Sequence, residues 1–325
     1  PSIQLGWILD AQAHGKTWIN RNNDERLSSS SHVRQAWENM LRDSGLQYSY
    51  ISYVDLIQKG VPREYKTLIL PACLCLSEAE ARAIEAFCRA GGTVIADYLP
   101  GVWDMHGRGR PAGGVLDKLF GVRHDPAMTA KDVFGERLWC EVDQDNNYGW
   151  KTYNEFMTKG NTCLRDAGGF HKAVRNLPTA TVTHQGNGTA VLMNLSPQWY
   201  NAYRETGFEA ARQRDVFMRH VGSGKARRWV EIENAGSAEF GYEITYWRLP
   251  GGRRLLFLCA NPETAGTELG GGNAVGLKTG TLDVTLKFAA AVRNVRDERT
   301  GRSLGSGNRF PVQWRRNEAI VLSFD

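Results

Sequence analysis

The sequence predicts an α/β domain with a doubly wound parallel sheet, followed by a small antiparallel β-sandwich. Three observations carry this reading. Apolar runs alternate with amphipathic helical stretches over the first hundred residues. A small-residue break, Gly222-Ser223-Gly224, interrupts the chain two-thirds of the way along. After it come strand-like runs with no helical period. A length of 325 residues suits two domains, and the break divides them into 1–222 and 225–325.

The elements follow in order. Ile3 to Asp10 reads as a buried strand ending in a carboxylate, and a polar loop from Ala11 to Ser31 follows it. Val33 to Asp43 has Val33, Ala36, Trp37, Met40 and Leu41 on one helical face, with Ser31 as a cap and Gly45 as a stop. Tyr48 to Val54 reads as a second strand and Tyr65 to Pro71 as a third, closed by its proline. Ser77 and Glu80 form a capping box for a helix that runs to Arg89 and stops at Gly91-Gly92. Thr93 to Asp97 is the fourth strand. A flavodoxin-like order is the natural arrangement, since right-handed crossovers leave few alternatives. Val115 to Phe120 reads as a short helix, Thr181 to Met193 as a hairpin turning at Gly186-Asn187-Gly188, and Gly207 to Val221 as a helix. In the second domain the strand-like runs are 229–232, 240–248, 254–260, 281–288, 290–296 and 318–324.

The bulk numbers exclude several classes. A hydrophobic fraction of 42% is enough for real cores and argues against disorder. No run approaches the roughly 18 apolar residues of a membrane-spanning helix. A net charge of +5, with Arg interleaved among Asp and Glu as in Arg293 to Arg299, lacks the basic stripe of a nucleic-acid binder. Six scattered cysteines lack the paired spacing of a zinc site and read as buried small hydrophobes in a reducing compartment. The turn after the first strand, Asp10 to Gly15, has no phosphate-binding glycine pattern. No cofactor or metal is expected. Pro1 runs almost directly into the apolar stretch from Ile3, which predicts that the natural chain extends upstream.

Ligands of open α/β sheets sit beyond the carboxyl ends of the strands. Those ends hold Asp10, His14 and Trp18, then Asp97 and Tyr98, with Trp103, Asp104 and His106 close behind. In the predicted strand order Asp10 and Asp97 start ~10 Å apart. That spacing can flank a water in an inverting glycosidase, with Trp18 and Trp103 stacking on sugar. The alternative is structural: a strand-end Asp often bonds loop amides, and a loop Trp often plugs an interface. Asp97, Asp104 and His106 do not have a specific metal spacing.

Four pieces in this order resemble the glycoside hydrolase family 42 β-galactosidases outside their barrel. They are the Tyr65 to Pro71 strand with Leu76-Ser77-Glu78 and its helix, Ala90 to Ile95, the Gly186 to Val191 hairpin, and the tail. The tail comprises Leu256 to Asn261, Val295 to Gly301 and a last strand ending at Phe324. The resemblance implies a trimerisation domain related in fold to class I glutamine amidotransferases, then a C-terminal β-domain. It implies self-association, with a trimer favoured, a catalytic barrel upstream and action of the parent protein on carbohydrate. A barrel needs about 250 residues by itself, so no catalytic residue carries over to this chain. Active amidotransferases place a cysteine on the turn after the strand matching Thr93 to Asp97, where this chain reads Ala96-Asp97-Tyr98-Leu99. The expected role is a non-catalytic scaffold. Rival readings are a free-standing carbohydrate-binding or carbohydrate-active protein using the strand-end cleft, and an inactive amidotransferase-like domain.

Overall fold

Ser77 is an unusually complete helix start, and the first unit is built around the helix it opens. In the computed structural model its hydroxyl accepts from the Glu80 amide while the Glu80 carboxylate accepts from the Ser77 amide, so two otherwise orphaned donors are satisfied. The structure describes residues 30–97, 100–123, 162–165, 171–174, 180–193, 197, 200, 208–223, 226–234, 242–260, 263–265, 273–276 and 280–325. The predicted strand from Ile3 to Asp10 lies outside them. Two compact units emerge: 1–37, 50–200 and 211–226 form one, and 38–49, 201–210 and 227–325 the other.

The first unit's described elements are α1 (Ser30–Asp43, whose last residues belong to the second unit), α2 (Tyr53–Lys59), β1 (Thr67–Leu70), α3 (Glu78–Arg89), β2 (Thr93–Asp97) and α4 (Asp117–Phe120). A short antiparallel pair, β3 (Thr162–Arg165) and β4 (His171–Val174), and the hairpin β5 (Ala180–Gln185) and β6 (Gly188–Met193) follow, then α5 (Phe208–Ser223). The main sheet has the order β1-β2-β6-β5. The first three strands are parallel, and β5 runs antiparallel at the edge. Every residue of β2 is buried, as expected of a central strand covered on both faces. Ala81, Ile84 and Cys88, one stripe of α3, pack with Leu68, Leu70, Val94, Ala96, Leu119, Phe120 and Leu192 in one core.

Two expectations are corrected here. The sheet is mixed rather than purely parallel among the described residues, because the strand entering it from Ala180 does so through a two-residue hairpin. And Tyr48 to Val54 is not a strand. Residues 46–52 form no ladder, and Ser52 caps α2, accepting from the Asp55 amide at 3.0 Å. The aromatic and β-branched run suggested a strand, but a Ser with Asp three residues on is a helix-start signal, and that local signal prevails.

The hairpin turn rests directly on the end of α3. The amide of Asn187 donates to the Arg89 carbonyl and that of Thr189 to the Gly92 carbonyl, both at 3.2 Å. A Cβ on Gly188 would stand 1.8 Å from the Cys88 oxygen and 2.4 Å from the Gly92 oxygen. Only glycine permits this approach.

The second unit contains β7 (Val230–Glu233), β8 (Tyr242–Arg248), β9 (Arg254–Ala260), the small pair β10 (Glu263–Ala265) and β11 (Asn273–Gly276), and β12 (Thr281–Asp297), β13 (Ser303–Arg315) and β14 (Ile320–Phe324). Among the described residues its main sheet is a single six-stranded antiparallel one rather than the two layers of a sandwich, in the order β13-β12-β14-β9-β8 with β7 also on β12. The runs expected as separate strands at 281–288 and 290–296 are a single 17-residue strand with register shifts after Lys287 and after Val292. Its first half pairs with β7 and its end with β14. The sheet curls: Tyr242 of β8 and Trp314 of β13, from strands at opposite ends of the order, place their rings 6.3 Å apart. In a flat sheet four strand spacings would separate them by about 19 Å. Phe288 fills the interior, edge-on to Phe310 at 5.5 Å and Phe324 at 5.1 Å. The outer amide of Tyr246 on β8 donates to the Gln47 side-chain oxygen at 2.9 Å.

Ser77→Ala should lower stability by about 1 kcal/mol in urea unfolding, through loss of the cap. Gly188→Ala should cost at least about 3 kcal/mol or prevent folding, because the atoms it meets are backbone. Gly222→Ala, where a Cβ meets nothing within 4 Å, should be close to neutral in the same assay.

Candidate functional site

The carboxyl ends of β1 and β2 are where an α/β sheet offers a site, and Asp97 is the last residue of β2. Its side chain points into the protein. One carboxylate oxygen, Oδ2, accepts from the Trp37 indole Nε1 at 2.6 Å, and Oδ1 accepts from the Ala72 amide at 2.6 Å. Trp37 is itself fully buried on α1, with Phe217 of α5 edge-on at 5.4 Å. Ala72, just after β1, has φ of 45°, a left-handed conformation that costs energy in a residue with a β-carbon. The Asp97 carboxylate therefore joins α1, the strained turn after β1 and the end of β2. Burial pushes its pKa up to about 7, against the lowering effect of its two donors.

The loops around it are knitted by backbone bonds. Gly101 donates to the Cys73 carbonyl at 2.8 Å, Trp103 to the Leu74 carbonyl at 3.0 Å, and Leu76 to the Trp103 carbonyl at 3.2 Å. Trp103 is buried, so its indole is a plug and not an open stacking platform. Asp104 accepts from the amides of His106 and Arg108 at 2.8 and 2.9 Å, closing a tight exposed turn on which His106 stands in solvent. Asp10, His14, Trp18 and Tyr98 lie outside the described residues. Among the described residues of the predicted site, Asp97 and Trp103 are buried and His106 is exposed, so the three do not line one surface.

Cys73 and Cys75 sit in the same loop and are buried. Burial pushes the Cys73 thiol far up and that of Cys75 up to about 12, the reverse of an activated nucleophile. Among the described residues no group of three or more His, Cys, Asp or Glu is placed to hold a metal ion. Sequence reasoning did not find the partners of Asp97. The signal available was Trp37 on an apolar helix face: a buried indole needs an acceptor for its N–H, and a strand-end carboxylate is a suitable one.

The raised pKa of Asp97 has a definite sign. The folded chain holds a proton that the unfolded chain releases, so the stabilising contribution is complete below pH about 4 and is lost as pH rises through about 7. Asp97→Asn should remove a slope of up to about 1.4 kcal/mol per pH unit between those limits, read from urea unfolding at a series of pH values. Asparagine turns an amide donor toward one of the two existing donors, so the variant should also be less stable at pH 5.

Residues 8–209 match the family model of the β-galactosidase trimerisation domain. No curated protein sequence matches the chain. Its fold is similar to the β-galactosidase from Bacillus circulans sp. alkalophilus, at 15% identity and a TM-score of 0.56, over 91% of this chain and 38% of that one. It is also similar to a catalytic mutant of a glycoside hydrolase family 42 β-galactosidase from G. stearothermophilus, at 14% identity and a TM-score of 0.57, over 100% of this chain and 39% of the other. The chain thus spans under two-fifths of the length of either structure. With the family model covering well over half of its residues, the chain belongs to the trimerisation-domain family of the glycoside hydrolase family 42 β-galactosidases.

Proposed function

We propose that this chain is the oligomerisation and scaffold region of a β-galactosidase-like glycoside hydrolase. The family match over residues 8–209 carries that reading. In it, residues 1–222 form the self-associating α/β domain, related in fold to the class I glutamine amidotransferases, and 225–325 form a C-terminal β-domain. The three parallel strands β1, β2 and β6 support that kinship. The buried thiols of Cys73 and Cys75 support a domain without amidotransferase chemistry. Cleavage of β-linked sugars belongs, on this reading, to a barrel elsewhere in the parent polypeptide. The side chains at the end of β2 support a structural use of that edge, because the Asp97 carboxylate is already bonded by Trp37 and Ala72.

Light scattering on the purified chain should give a trimer, three times 36.3 kDa, with no release of a chromogenic leaving group from a β-galactoside. A monomer at micromolar concentration would overturn the oligomerisation reading, and hydrolysis by this chain would overturn the scaffold reading.

A further inference from the structure

The helix α2 has its apolar side on the outside. Leu56 is its one buried residue, at 0% exposure, and it packs into the core of the first unit. Tyr53, Val54 and Ile57 are each over 40% exposed. Tyr50, before the helix, is 60% exposed, and Tyr65 beyond it 39%. Ile57 follows Tyr53 by four residues and Val54 by three, the spacing of a single helical face, and Tyr50 lies in the non-helical segment before the Ser52 cap. Five of the nine large exposed hydrophobic residues among the described residues fall within this one sixteen-residue stretch. Single exposed apolar side chains are ordinary, but a concentrated set of them marks an interaction surface.

The chemistry of the face narrows the occupant. The only charges on α2 are Asp55 and Lys59, which pair with each other at 2.7 Å, and Asp55 also accepts from the Ser52 hydroxyl at 2.8 Å. The face therefore presents apolar and aromatic groups with its charge neutralised locally. Such a surface can meet another copy of the same chain without like-charge repulsion, and tyrosine is of the type enriched at interfaces. It lies inside the segment matched by the trimerisation-domain model.

We infer that the outward face of α2, formed by Tyr53, Val54 and Ile57 with Tyr50 just before the helix, is buried against a second copy of this chain. The inference rests on the self-association reading above and assigns the contact that reading leaves unlocated. In the assembly the side chains of Val54 and Ile57 sit in a dry contact centre, flanked by the tyrosine rings.

The test is the solution mass of the 325-residue chain and of a Val54→Glu/Ile57→Glu double variant, measured by light scattering over a dilution series. Glutamate is a good helix former at exposed positions, so the variant should keep the circular dichroism and cooperative urea unfolding of the parent chain. A Val54→Gln/Ile57→Gln variant, which adds no charge, answers the same question if the first does not fold. Met105→Glu, at another exposed apolar residue of the same unit, is the control. Self-association of the parent chain and of the control, with association on the order of tenfold or more weaker in the folded α2 variant, is the expected result. An associated parent chain whose mass is unchanged in the folded α2 variants overturns this inference and leaves the oligomerisation reading intact. A monomeric parent chain overturns both.

Discussion

A carboxylate shut away from water controls the geometry of the first unit. Asp97 ties together a helix, a strained turn and the end of a central strand. Its two bonds satisfy donors that are themselves buried or nearly so, and a buried donor left without a partner is costly. The turn at Ala72 is held in a conformation few residues adopt freely, and the Asp97 oxygen fixes its amide. Next to that anchor the loop from Cys73 to Leu76 pairs with Trp103. Among the described residues, the carboxyl end of β2 is engaged by the chain's own groups.

Much of this architecture was legible from local chemistry. Ser77 and Glu80 announce a helix start because the capping box needs only those two side chains at that spacing. Thr93 to Asp97 reads as a buried strand because every residue but its ends is apolar. Gly186-Asn187-Gly188 gives the hairpin because its turn requires a positive φ at Gly186, and 60° is observed. The position of Asp97 at a strand end was equally plain. The direction of its side chain was not, because the group that turns it inward, Trp37, lies 60 residues earlier in the chain. Among the described residues, both oxygens of Asp97 are engaged by donors of the protein itself.

The strand from Ser303 to Arg315 is hard to read in the sequence for a different reason. Gly305, Gly307 and Pro311 look like breakers, and as isolated signals they would end a strand. Here β13 stands at an edge of the sheet, where a proline's missing amide leaves no ladder bond unmade. The glycines coincide with the register shifts that let β12 bend. Asn294, in a left-handed conformation with φ of 52°, sits inside the same bent stretch. Bulges of this kind increase local twist. They join the runs 281–288 and 290–296 into one continuous strand that serves the whole curl.

That curl carries a kinetic consequence. The ring contact between Tyr242 and Trp314 closes the sheet on itself, and it cannot form until β9, β12 and β14 have taken their places between the two end strands. Long-range closure of this sort has to meet its loop entropy before any packing gain is realised, which slows folding relative to helix-rich segments with local contacts. The α3 helix with its own cap and adjoining strands is assembled from near neighbours in sequence, whereas the second unit needs its last strand, Ile320–Phe324, to fill the centre of the sheet. During synthesis, the core of the second unit has to wait for Ile320–Phe324 before it can be completed.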